Sequence, residues 1–299
     1  MQKKQLKISD TSIRASEAFE LEWDEMVIGN PSCYHKFMQP ADIEFWVEYT
    51  NKKNITLVVE LPVVFQSHLE ALIDFVRVLI NKYHIKSFII NDFGMLYEMN
   101  RFEGNSLNIR LGQLLNYNQY NSPWSDRSLK HELENIKVIT KESSLEAESI
   151  LDLITLWNVC EVEVNLNTIS EKEKIKYQRY GVTVSGVVNA QLLAVSRSCH
   201  AVRLFDGEVG SCQSLCNKPL NLEALYKWER YDDQLKRMSL ETRNSLSSLK
   251  LVGNSIWLGK SLSGRNIDLL NTVSFDLRVQ EPQVLIENYS SLFSKKVLT

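Results

Sequence analysis

The chain has 299 residues, 44% apolar and 24% charged, with a formal net charge of −3. Those are ordinary values for a globular protein long enough to bury one large core. They give no electrostatic reason to expect a nucleic-acid-coating surface, so nucleic acid is not an expected partner. The basic start Met1-Gln2-Lys3-Lys4-Gln5 is not followed by the apolar core of a secretory signal. The most apolar stretch, Ile55 to Phe65, contains Glu60 and Pro62 and is too short for a bilayer, which needs about 20 apolar residues. A cytoplasmic location with no membrane span is expected. Thiols stay reduced there, so the cysteines are candidate ligands, catalysts or core fillers.

Strand-like and helix-like segments alternate along the chain. Gln5–Ile8 and Glu25–Ile28 read as short strands, 40–50 as a helix, and Ile55–Val59 as a β-rich run. Phe65, Leu69, Leu72, Ile73, Val76, Leu79, Ile80 and Tyr83 share one helical stripe. Strands are predicted at Ser87–Ile90 and Leu107–Leu111, separated by the turn Asn91-Asp92-Phe93-Gly94. The polar stretch 117–143 has no clean period and reads as an insertion or long loop. A helix over 145–157, a strand Cys160–Leu166, a helix over 171–179 and a strand Val182–Val188 follow, with apolar sequence up to Val195. Beyond the cysteine segment come a charged helix over 221–240 and late strands at Leu249–Leu258 and Val273–Val279. Pro282 opens a last helix with the apolar face Leu285, Tyr289, Leu292 and Phe293. This alternation predicts an α/β fold: a (β/α)8 TIM-barrel-like domain, regular or incomplete, with an open doubly wound sheet as the second choice. One domain over 1–299 is the simpler division, with a polar insertion near 117–143 and a cysteine-bearing segment at 196–219.

Cys199, Cys212 and Cys216 form C-x12-C-x3-C, a dense group in a chain with five cysteines. Between them Asp206-Gly207 and Gly210 favour turns, which let thiolates converge. A [4Fe–4S] cluster takes four thiolates, and zinc takes four sulfur or nitrogen ligands, with His35 or His200 available. Spacing does not separate these, and small buried hydrophobes are the plain alternative. In a barrel, Cys33 and Cys199 both follow strands and fall at the C-terminal, active-site end. Cys160 starts a strand and is expected in the wall or at the opposite end, as a core cysteine.

Pro31-Ser32-Cys33-Tyr34-His35-Lys36, Asn91-Asp92-Phe93-Gly94, Gly112-Gln113-Leu114-Leu115-Asn116-Tyr117-Asn118, Ser196-Arg197-Ser198-Cys199, Cys212-Gln213-Ser214-Leu215-Cys216 and Phe275-Asp276-Leu277-Arg278-Val279 follow one another in the chain. Taken in that order, they resemble elements of the collagenase-like peptidase family U32. The resemblance implies a barrel-like fold and a [4Fe–4S] cluster on Cys33, Cys199, Cys212 and Cys216. It also implies a part in oxygen-independent hydroxylation, of the kind found in ubiquinone biosynthesis, beside a second family member. A small-molecule substrate fits this role.

The chain departs from the family pattern as well. Aligned without gaps back from Cys199, the family's glutamate falls on Val184 and its His-Gly pair on Val188-Asn189. Without that acid and histidine, peptidase activity is not expected, and an accessory or non-autonomous subunit is.

Common nucleotide-loop, zinc-protease and nucleophile-elbow strings are absent. Gly259-Lys260-Ser261 reads as a turn. His68 is expected at a helix edge, His84 at a helix end and His131 in solvent. Trp228 among Lys227, Arg230, Lys236 and Arg237 is interleaved with acids and reads as a solvated helix. Glu161 and Glu163 share a strand face and are expected to be salt-bridged or solvated.

Overall fold

The computed structural model describes residues 2–8, 17–37, 43–102, 106–116, 131–196, 199–204, 219–222, 249–259 and 266–293. Its strands are β1 (Lys3–Ile8), β2 (Glu25–Gly29), β3 (Thr56–Glu60), β4 (Ser87–Ile90), β5 (Asn108–Leu111), β6 (Val159–Glu163), β7 (Thr183–Val187), β8 (Ala190–Val195), β9 (Leu220–Asn221), β10 (Leu249–Val252), β11 (Ser255–Gly259) and β12 (Thr272–Asp276). Strands β1 to β7 pair in parallel in chain order, and β12 closes the ring between β7 and β1. The result is a closed eight-stranded parallel barrel, the TIM-barrel-like architecture expected from the alternation. Strands β8 to β11 form a separate antiparallel sheet, inserted between β7 and β12.

The helices are α1 (Tyr34–Phe37), α2 (Ile43–Lys53), α3 (Gln66–Asn81), α4 (Phe93–Asn100), α5 (Glu134–Lys141), α6 (Glu148–Leu156), α7 (Glu171–Arg179), α8 (His200–Leu204) and α9 (Pro282–Phe293). Leu72, Val76, Leu79 and Ile80 of α3 are buried in the main core, whereas Phe65 caps the helix and is exposed. Outward strand residues such as Leu6, Met26, Val59, Phe88 and Phe275 meet the helices in that core. Asp92 caps α4 by accepting the Met95 amide, 3.1 Å away. His84 takes left-handed backbone, φ 56°, just beyond α3, a position that ends helices. Tyr289 of α9 packs edge-on against Trp23, ring centroids 5.0 Å apart.

Three expectations are corrected. Residues 249–258 are two strands, because Gly253, φ 62°, and Asn254 make a two-residue hairpin turn. The polar stretch 117–143 ends in helix α5, whose Leu133, Ile136, Val138 and Ile139 are exposed. Thr140 is its one buried side chain among those described, so its apolar residues do not mark a core-facing stripe. The segment 145–157 is broken at Ala147, between a 3-10 turn closed by the Ser143–Glu146 capping box and α6. The expected helix at 221–240 lies outside the described residues, apart from its first two positions. Among the described residues no helix is long and apolar enough to cross a membrane.

Candidate functional site

Side chains alternate across each barrel strand, so every second residue points into the lumen. Barrel interiors are normally packed with branched apolar residues. Here Val27, Val58 and Ile89 form only a small apolar cluster of that kind. Toward the N-terminal ends, Arg110 grips Glu25 at two points, 2.5 and 2.9 Å, and lies 3.4 Å from Glu161. Thr272 donates to Glu161 at 2.9 Å, and Gln5 donates to Glu25 at 2.9 Å. Burial alone would raise the Glu25 carboxyl, but Arg110 and Lys3 hold it down at about 2.

A second charged layer lies at the C-terminal ends, where barrel active sites are built. Lys7 Nζ sits 2.5 Å from Glu163 Oε2 and 3.5 Å from Glu60 Oε1. Arg278 donates to Glu60 at 2.5 Å and binds Asp276 through Nε and Nη2, at 2.8 and 2.6 Å. Asn91 Nδ2 approaches Glu60 at 3.4 Å and donates to the Leu61 carbonyl at 3.1 Å. All five charged groups are buried. Burial opposes the charge on Lys7, and the carboxylates of Glu163 and Glu60 outweigh it, raising its affinity for the proton. Burial also pushes Glu60 up, but Arg278 and Lys7 bring it down to about 2.

Two glycines permit this layer. Gly29 has φ +122°, and a Cβ there would lie 2.3 Å from the Glu60 carbonyl oxygen. A Cβ on Gly112 would meet the Asn91 side chain at 2.2 Å.

The antiparallel sheet lies against this end of the barrel. Ala190 and Leu192 of β8, Val252 and Trp257 pack with Val187 at the top of β7, Val279 beyond β12, and Leu114 beyond β5. Its hairpin turn reaches the cysteine-bearing loops. Asn254 Nδ2 donates to the Ser32 carbonyl at 2.8 Å and to the Ser196 carbonyl at 3.0 Å. The Cys33 amide donates to Asn30 Oδ1 at 2.8 Å, and the Ala201 amide donates to the Gly253 carbonyl at 3.3 Å. Segments that carry Cys33 and Cys199 are therefore held on one turn, and both cysteines are half-buried. Arg278 Nη1 approaches the Gly29 carbonyl at 3.5 Å, so the charged layer borders the Cys33 loop.

Cys212 and Cys216 lie outside the described residues. Among the described residues no group of three or more His, Cys, Asp or Glu is placed to hold a metal ion. Cys160 is at the opposite end, its thiol 3.3 Å from the Ile109 carbonyl and pushed up by burial. His35 is exposed beside Cys33 and shares an aromatic patch with Tyr34 and the half-buried His68, whose ring centroid is 4.6 Å from that of Tyr34. Val184 is buried in the outer core. Asn189 is fully buried and bonded to both backbone polar groups of Asp276, at 2.8 and 3.0 Å. The ion pairs of Glu161 and Glu163 agree with their strand-face reading, whereas Lys7, Glu60 and Glu25 are not among the site residues expected from the sequence. Of the barrel strands, only β6 carries charges at alternate positions; Glu25 and Glu60 are single charges at the ends of their strands and leave no such signal.

No family model matches the chain. No curated protein matches it. Among solved structures it is similar to the U32 peptidase Mk0906, at 9% identity and a TM-score of 0.47, with 92% of each chain covered. It is also similar to an uncharacterized B. cereus protein, at 8% identity and a TM-score of 0.37, covering 95% of this chain and 64% of that one.

Proposed function

We propose that this chain is an iron–sulfur protein of the U32 type, resembling the ubiquinone-biosynthesis protein UbiV. Its [4Fe–4S] cluster is held by Cys33, Cys199, Cys212 and Cys216, and it serves an oxygen-independent hydroxylation system with a UbiU-like partner. The observation that carries this reading is the pair of hydrogen bonds that Asn254 Nδ2 donates to the carbonyls of Ser32 and Ser196. It ties together two loops 164 positions apart, each leading to one of the four cysteines. A thiol-only donor set suits iron–sulfur or zinc, and half-burial suits a cluster that must be shielded from water yet reachable by electrons. When bound, the cluster would supply one-electron chemistry. Protein purified without oxygen should be brown and carry roughly four iron and four sulfide per chain. Colourless protein with stoichiometric zinc, or with no metal, would overturn the reading.

One observation favours a second reading, a cluster-stabilised scaffold whose partner does the chemistry. Val184 and Asn189 fall where the resemblance puts the acid and the residue after the histidine, and both are engaged in packing or backbone bonds. Under that reading Cys199→Ser abolishes folding or assembly. Retained assembly with lost turnover assigns the cluster to the chemistry instead.

A further inference from the structure

The charged layer at the C-terminal end of the lumen is more than the barrel needs for stability. Packed apolar residues usually serve as well as buried ion pairs, or better. The pairing within the layer is also uneven. Glu60 touches two cations, Lys7 and Arg278, and Asp276 is gripped twice by Arg278. Glu163 touches Lys7, and Lys7 is shared with Glu60. Three carboxyls face two cations, so the layer is electrically balanced when one carboxyl keeps its proton. Glu163 is the least compensated of the three.

Above this polar floor lies the apolar side of the inserted sheet, with Trp257, Leu192 and Val252 meeting Leu114, Val187 and Val279. At the same end Gln113 Oε1 is buried with no hydrogen-bond partner among the described residues. An apolar ceiling over a few convergent polar groups is the usual make-up of a small-molecule site.

We propose that this layer is an acid–base site in which Glu163 and Lys7 exchange a proton with the hydroxyl or carbonyl oxygen of a small, largely apolar substrate held against the sheet. The Glu163 carboxyl gives its proton to the substrate oxygen and becomes a carboxylate stabilised by the Lys7 ammonium. In the reverse direction the carboxylate takes the proton back. No electrons move, and solvent restores the resting proton. Glu60 stays ionised, and Glu60 and Asp276 hold Lys7 and Arg278 in place. Burial, with Lys7 opposing and Glu60 reinforcing, leaves the Glu163 carboxyl above the usual carboxylate range, while Glu60 is held at about 2. Two neighbouring carboxyls driven apart in this way divide the roles of proton carrier and fixed charge. The site does not depend on the cluster.

The test is carbon-13 NMR of the full-length chain labelled at glutamate carboxyls, with Glu163 assigned by through-bond correlation so that no substitution is required. Phenol and cyclohexanone serve as the hydroxyl and carbonyl probes. Glu163 should titrate above the ordinary carboxylate range, and at least one probe should shift its signal saturably. Lys7→Met should weaken that probe's binding at least tenfold. Titration of Glu163 in or below the ordinary range, or a signal unmoved by both probes, overturns the proposal. Iron content measured on the same sample decides the cluster reading separately.

Discussion

Replacing Lys7 with methionine removes the cation that touches both Glu163 and Glu60. Breaking one partner out of a buried pair leaves uncompensated charge and costs about 3–5 kcal/mol. Lys7→Met should lose stability of that order in urea unfolding, and adding Glu163→Gln should restore part of it; strictly additive losses would show that the two residues do not interact. Acid acts on both charged layers. Glu60 and Glu25 are held at about 2 when folded, below the unfolded value of about 4.3. Their stabilisation is therefore complete above that unfolded value and is lost as pH falls toward 2. Glu173 has the opposite sign. Burial and the nearby charge of Glu146 push it up to about 8. Its protonated form stabilises the fold fully below about pH 4.3, and that contribution is lost as pH rises through 8. Glu173→Gln should therefore be more stable than the native chain at pH 8, by roughly 2–4 kcal/mol, with the gap closing toward pH 4 in urea titrations.

Among the elements, the hairpin of β10 and β11 does the most to assemble the site. Asn254 at its turn bonds to the Ser32 and Ser196 carbonyls, and Trp257 on its second strand is buried against the barrel mouth. Asn254→Ala removes both donated bonds and should cost about 1–3 kcal/mol. If the proposed cluster is present, the same variant should release iron faster on exposure to air, while Cys160→Ser, at the far end of the barrel, should not. Trp257→Ala should cost about 3–5 kcal/mol. It should also raise hydrogen exchange selectively in β8, β10 and β11, because the sheet holds to the barrel largely through that apolar patch. Exchange rising evenly around the barrel would contradict a separable sheet.

At the scale of the whole molecule, the barrel was legible because its helices repeat at 3.6 and its strands are short apolar runs between turn formers. Ser87–Ile90 and Glu171–Arg179 match their sequence-based bounds residue for residue. Legibility fails where the hydrophobic pattern stops reporting burial. Helix α5 exposes its apolar residues, and the hairpin at 249–259 is one apolar run folded back at Gly253-Asn254. The closing strand β12 pairs with β1 across 269 positions, as Lys3 opposite Thr272 shows, and no local pattern specifies such a partner. The chain's residues by themselves determined the α/β alternation, the position of Cys33 just beyond barrel strand β2 and the shared strand face of Glu161 and Glu163, since each follows from local period and order, whereas Cys199 follows β8 of the inserted sheet and is brought to that end by the sheet. Only the tertiary structure decided that Glu163 meets Lys7 and Glu60, that Arg278 bridges Glu60 to Asp276, and that an inserted sheet lies against them. Charge pairs across a lumen depend on which strands close the ring and in what register, and those are set by the packing of the whole barrel.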